Sequence, residues 1–299
     1  MDIAITGASG LIGSELARLL SERGDRVLRL VRRAPTSSDE LRWDPTQGTI
    51  DSAGLEGIDA VVNLAGENIA ARRWSTEQKA KIVDSRVKGT NLLASTIVGA
   101  QKPPRVLVSG SAIGFYGDRG DEQLDETSPA GAGFLADVVT QWEAAAAPVS
   151  EAGIRVAFAR TGLVLSQDAG ALVPLLRIFK LGLGGKLGSG RQWWSWITLE
   201  DEARALVHLI DHEVAGPVNL VSPSPVTNAA FTKALGTALH RPAILPVPSF
   251  GPKLVMGAEL ADELIFASQR IAPAVLTGSG FAFSHPQLDD ALTSVLARS

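Results

Sequence analysis

A glycine pattern within the first thirteen residues constrains this chain more than anything that follows. "DIAIT", residues 2–6, is a short apolar run that suits a buried strand. "SELARLLSERG" carries Leu16, Leu19 and Leu20 at helical spacing, and Gly24 ends the pattern. Between the two lie Gly7, Gly10 and Gly13, in the order G-x-x-G-x-x-G. One glycine permits the tight turn, a second lets the backbone approach a pyrophosphate, and the third lets helix and strand pack closely. The helix N-terminus then faces the negative charge. Alone the pattern is weak, and a merely glycine-rich turn is the ordinary alternative. Its place after a strand and before a helix gives it weight. It predicts a dinucleotide-binding unit in which Gly7, Ser9, Gly10, Leu11, Ile12 and Gly13 contact the cofactor.

The alternation continues. "DRVLRLVRR", "GIDAVVNLAG", "RVLVSGSA" and "IRVAFARTGLVL" read as strands, while Thr76–Gly99 and "FLADVVTQWEAAAAPVSEAG" read as helices. Such a chain predicts βαβ units and a Rossmann-type, doubly wound α/β fold, its parallel sheet covered on both faces. After about Leu165 the texture changes. "LGLGGKLGSG" is glycine-dense loop, "RQWWSWI" holds three of the six tryptophans, and prolines cluster from Pro217 to Pro252. The expected division is a dinucleotide-binding domain over residues 1–165, to whose sheet 196–222 return. A smaller, discontinuous C-terminal substrate region covers 166–195 and 223–299.

Composition removes several classes of protein. With 45% hydrophobic and 20% charged residues the chain can bury a core, so disorder is not expected. A net charge of -4 without a basic block argues against nucleic acid. No stretch of about 18 apolar residues occurs, so no membrane span is expected. The acidic second residue and early glycines do not read as a signal peptide. The absence of cysteine excludes disulfides and thiolate metal sites, and His208 and His212 lack the glutamate of an H-E-x-x-H. The expectation is a cytoplasmic protein that takes a small-molecule substrate and no metal, with a homodimer as the assembly left open.

The end of the second strand bears on which dinucleotide is bound. An NAD site places an acid there for the ribose hydroxyls. This chain has "LVRRAP", with Arg32 nineteen residues after Gly13 and Arg33 beside it. A guanidinium pairs with a 2′-phosphate, which a carboxylate would repel, so NADP is the expected cofactor. Two solvated surface arginines are the plainer alternative.

With these residues in place, the chain resembles the extended short-chain dehydrogenase/reductase superfamily. Within it, the likeness is to epimerase-family proteins with a short C-terminal domain, which include a human short-chain dehydrogenase of family 39U. The likeness runs nearly end to end, through "TGASGLIG", "WDP", "VVNLAGENIA", "RRW", "SRVKGT", "RTGLVLS", "GGKLGSGRQWWSWI", "SPSPVTNAAF", "RPAILPVP" and "SGFAFSHPQLDDAL". It implies that Leu64, Ala65 and Gly66 pass beside the adenosine and pyrophosphate. Arg86 stands where extended relatives have asparagine, with Lys81 five residues before it, on a helix skirting the cofactor. Leu163 and Val164 would flank the nicotinamide.

The superfamily's Y-x-x-x-K pair is missing. The phenol exchanges the proton that balances hydride transfer, and the lysine four residues on lowers its pKa. Here Phe134 and Val138 occupy those positions, and neither titrates. Tyr116, the only tyrosine, lies in "SGSAIGFYG" after the fourth predicted strand, and Ser111 matches the superfamily's serine. Three alternatives stay open: a phenol from Tyr116 with Ser111 orienting the substrate oxygen, a proton shuttled through another polar side chain such as Lys79 or Asn68, or no catalysis. Tyr116 reads equally as an aromatic at a strand end.

On the substrate side, "GSGRQWWSW" offers Arg191 to a phosphate or carboxylate, and Trp193 and Trp194 as pocket walls. Packing is the ordinary alternative for the tryptophans. Together these features predict an NADP(H)-dependent oxidoreductase or epimerase acting by hydride transfer on a small carbonyl or sugar-like substrate. The alternative is a non-catalytic NADP(H)-binding sensor or scaffold.

Overall fold

A computed structural model describes residues 1–297. Eight segments rich in aliphatic residues form one sheet: β1 (Asp2–Thr6), β2 (Arg26–Val31), β3 (Glu40–Asp44), β4 (Thr49–Ile50), β5 (Ala60–Asn63), β6 (Val106–Ala112), β7 (Arg155–Thr161) and β8 (Gly216–Leu220). They lie in the order β8-β7-β6-β5-β1-β2-β3-β4, with every neighbour parallel except β4 against β3. The chain direction across the sheet reverses between β1 and β5. In open sheets of this kind the ligand crevice lies at the carboxyl ends of the strands at that point.

Both faces of the sheet are covered, which is why its central strands are apolar almost throughout. Ile3, Ile5, Val62 and Val108 meet Leu16 and Leu20 of α1 (Leu11–Glu22), and Leu206 and Leu209 of the helix Leu199–Asp211. On the other face, Ala4, Val61 and Leu107 meet Leu93 and Ile97 of α2 (Thr76–Gly99). Each fully buried aliphatic side chain contributes about 1.5–3 kcal/mol. Ser75 starts α2 by accepting the Gln78 N–H at 3.1 Å.

The strand expected over "IRVAFARTGLVL" is two strands. A Cβ at Gly162 would lie 2.7 Å from the Ser195 carbonyl oxygen and from Val221, so the chain leaves the main sheet at this glycine. Leu163–Leu165 instead pairs in parallel with Trp196–Thr198. Beyond it, Trp196, Phe231, Leu288 and Leu292 anchor a third apolar cluster. Thr227 caps the helix Asn228–Ala238, and the Asn228 side chain accepts the Leu187 N–H at 2.8 Å and holds the glycine-rich loop. Arg270–Ile271 pairs with Gln123–Leu124, fastening the C-terminal segment to the loop after β6. No helix among the described residues is long and apolar enough to cross a membrane.

Candidate cofactor and substrate site

The glycine turn is built so that nothing larger fits. Gly7 has φ +68°, and a Cβ on it would lie 2.9 Å from the Leu64 backbone. A Cβ on Gly13 would lie 2.2 Å from the Gly7 carbonyl oxygen. Gly10 and Ser9 are exposed, and no side chain caps α1, so its first N–H groups and the positive end of its dipole face the crevice. Thr6 fixes the neighbouring loop. Its hydroxyl donates to the Asn63 side chain at 2.7 Å and accepts the N–H groups of Leu64 and Ala65 at 3.0 and 3.1 Å. Leu64, Ala65 and Gly66 are thereby held beside Gly7.

The two arginines after β2 have different fates. Arg33 forks onto Glu40, with Nη1 at 2.8 Å from Oε2. Arg32 is exposed and has no hydrogen-bond or ion-pair partner among the described residues. A free guanidinium at this corner suits an extra phosphate, while Arg33 is already committed.

Arg86 turns inward from α2. Its Nη1 donates to the carbonyl oxygens of Glu67 and Ile82 at 3.0 and 3.2 Å, and the guanidinium lies 5.1 Å from the centroid of Trp142. No carboxylate pairs with it among the described residues, and burial lowers its pKa to about 10. This half-buried cation stands beside the Gly66 loop, with the charge of Glu67 acting on it without a direct ion pair. Lys81 does not share that face: it projects outward and pairs with Glu77 at 2.6 Å. Five residues turn a helix by about 140°, so Lys81 and Arg86 stand on different faces of α2. Leu163 also points elsewhere, into the C-terminal cluster. Val164 instead joins Ile12 and Leu64 against the sheet.

Ser111 and Tyr116 belong to one polar network. The Ser111 hydroxyl donates to Glu143 Oε1 at 2.6 Å, and Glu143 receives Arg160 on both oxygens. Arg160 Nη1 donates to the Tyr116 hydroxyl at 3.0 Å, and that hydroxyl donates to Asn219 at 2.8 Å. Tyr116 is fully buried, and burial pushes its phenol up. Enclosed in this way, its hydroxyl is engaged by Arg160 and Asn219 within the protein. Nothing local signals Glu143 and Arg160 in the sequence, since the network joins residues up to 103 apart.

Phe134 opens α3 (Phe134–Ala144), half-buried, with its ring edge-on to Trp74 at 4.8 Å. Val138 is buried. Glu263, from the C-terminal segment, accepts the Phe134 and Leu135 N–H groups at 2.8 and 2.7 Å and so caps α3. Lys79 Nζ lies 4.9 Å from the Phe134 centroid and is ion-paired with Glu259. Asn68 is exposed, its side chain accepting the Ala70 N–H in a turn.

The tryptophans diverge, as successive strand residues do. The Trp194 indole donates to the Ile265 carbonyl oxygen at 3.2 Å and packs on Phe231. Trp193 donates to Asp121 at 2.9 Å, with Arg270 over its face at 4.5 Å. Arg191 is exposed on the loop before them. One further carboxyl lies beneath the site: Glu202 accepts the Thr161 hydroxyl at 2.7 Å while its Oε2 has no partner, and burial raises its pKa to about 8.

Known proteins match this arrangement over the whole chain. Residues 3–221 match the model of the NAD dependent epimerase/dehydratase family, and residues 247–295 match a domain of unknown function, DUF1731. The chain is 44% identical over 297 residues to an epimerase family protein of Mycobacterium leprae, covering 99% of this chain and 96% of the relative. The crystal structure of human epimerase family protein SDR39U1 with NADPH has a TM-score of 0.93 at 36% identity, covering 100% of both chains. A nucleoside-diphosphate sugar epimerase structure from Corynebacterium glutamicum gives a TM-score of 0.82 at 38% identity, covering 99% of this chain and 58% of that one.

Proposed function

The chain belongs to the NAD dependent epimerase/dehydratase family, and on that footing we propose that it is an NADP(H)-dependent oxidoreductase acting on a small carbonyl or sugar-like substrate. The unpartnered guanidinium of Arg32 at the end of β2 carries this assignment. It stands where the adenosine ribose would bring a 2′-phosphate, which an acid would repel. Gly7, Gly10 and the uncapped N-terminus of α1 would take the pyrophosphate, and Arg86 would supply the neighbouring positive charge. NADPH bound in the human relative's structure supports the same choice. When bound, the dinucleotide supplies a hydride. The chain's own residues orient the substrate, exclude water and manage the accompanying proton.

Titration calorimetry with NADPH and NADH, on the wild type and Arg32→Ala, tests the assignment. We expect NADPH to bind more tightly than NADH, and the substitution to remove about 1.5–3 kcal/mol of that preference, as lost charged hydrogen bonds do. Equal affinity for both nucleotides in the wild type would contradict NADP selection.

A second function is favoured by one observation, the replacement of the superfamily's titratable pair by Phe134 and Val138. In that case the protein binds NADP(H) without catalysis. Steady NADPH oxidation with any quinone, aldehyde or keto sugar would exclude it.

A further inference from the structure

We propose that Lys79 delivers the proton to the carbonyl oxygen of the substrate, taking the part of the absent phenol. This rests on the oxidoreductase function proposed above. Lys79 Nζ lies 4.9 Å from the centroid of Phe134 and 5.8 Å from that of Trp74. Its side chain is 29% exposed. The ammonium thus stands against the ring that occupies the phenol's position, at a place that keeps access to water.

The phase of α2 places it along the cofactor. Lys79 precedes Arg86 by seven residues, so the two share a face to within about 20° and are separated by about 10.5 Å of helix rise. Arg86 reaches the loop beside Gly7, where the pyrophosphate belongs. Two turns earlier on the same face, the helix reaches the start of α3, where the reacting end belongs.

The other candidates are spoken for. Ser111 gives its single proton to Glu143, Tyr116 is enclosed, and Asn68 caps a turn with an amide that is no acid. Glu259 pairs with Lys79 and holds its side chain in place beside Phe134.

The step balances. The carbonyl carbon accepts the hydride that the dinucleotide supplies, and the oxygen takes a proton from Nζ. The C=O double bond becomes CH–OH, the nicotinamide is oxidised, and neutral Lys79 regains a proton from water.

Two measurements test this. Acetic anhydride labelling followed by mass spectrometry compares Lys79 with Lys88, which pairs with Asp84 at 2.7 Å on the same helix. NADPH should slow labelling of Lys79 several-fold and leave Lys88 unchanged. Phenanthrenequinone and a panel of aromatic aldehydes then serve as probes for the wild type, Lys79→Met and Lys79→Arg, each first checked by its melting transition. Arginine keeps the ion pair with Glu259 but holds its proton too tightly to give it up. We expect both variants to bind NADPH like the wild type and to lose about 100-fold or more in turnover. Recovery of turnover in Lys79→Arg, or no NADPH shielding of Lys79, would overturn the assignment and leave the oxidoreductase function standing. A wild type that binds NADPH and reduces no probe would remove both.

Discussion

Arg160 and Glu143 meet as a fork between β7 and α3, Nε to Oε1 at 2.8 Å and Nη2 to Oε2 at 2.9 Å. Their side chains are only 4% and 13% exposed. Breaking such a pair from one side leaves a buried charge without its partner, a loss of about 3–5 kcal/mol. Glu143→Leu should therefore lower stability in urea unfolding by that order, while the double variant Glu143→Leu, Arg160→Met should recover most of it. Additive losses would show that the pair is not a coupled unit.

Tyr116→Phe separates a structural phenol from a chemical one. The substitution leaves Asn219 Oδ1 and Arg160 Nη1 each short of a partner. We expect a loss of about 1–3 kcal/mol in stability, with NADPH affinity and probe turnover unchanged at a temperature where both proteins are folded. A large fall in turnover without a change in stability would return the phenol to the chemistry.

Glu202 makes stability depend on pH. Its carboxyl titrates at about 8 in the folded chain, against an ordinary value of 4.5. Below the lower value both folded and unfolded chains hold the proton. Between the two only the folded chain holds it, so each unit of rising pH destabilises the fold by up to about 1.4 kcal/mol, and the effect levels off above the higher value. Glu202→Gln should flatten this slope: melting temperatures from pH 5 to 8 should fall more for the wild type than for the variant. Parallel curves would mean that the carboxyl is not held neutral.

Gly13→Ala tests the turn itself. The added methyl would overlap the Gly7 carbonyl oxygen at 2.2 Å, and that neighbour is backbone that cannot rotate away. We expect α1 to shift, stability to fall by about 1–3 kcal/mol and NADPH affinity to fall with it. Calorimetric titration and thermal melting of one preparation read both. Wild-type affinity in this variant would argue against pyrophosphate binding at this turn.

What the sequence reveals follows from the range of each interaction. Gly7, Gly10 and Gly13 act within one turn and the alternating apolar segments act within one strand, so both are visible in a linear reading. The break at Gly162 is not, because the obstructing groups belong to Ser195 and Val221. Nor is the fork of Glu143 and Arg160, assembled from a helix and a strand. Trp193 and Trp194 look like one wall in the sequence, yet their strand turns one toward Asp121 and the other toward Phe231. The helical phase of Lys79 and Arg86 was there to be counted. Lys81 attracts attention because it is nearer Arg86 in number, although it lies on another face.

Glu259 and Glu263 reach Lys79 and the start of α3 from 180 and 129 residues further along the chain. A growing polypeptide that has threaded its glycine turn, its arginines and its serine still lacks both carboxylates. Chains are made and begin to fold from the amino end, so the dinucleotide crevice can close before the substrate side exists. Under the function proposed above, nucleotide binding and catalysis would be separate events during synthesis, the second waiting until residues 259–263 have been made.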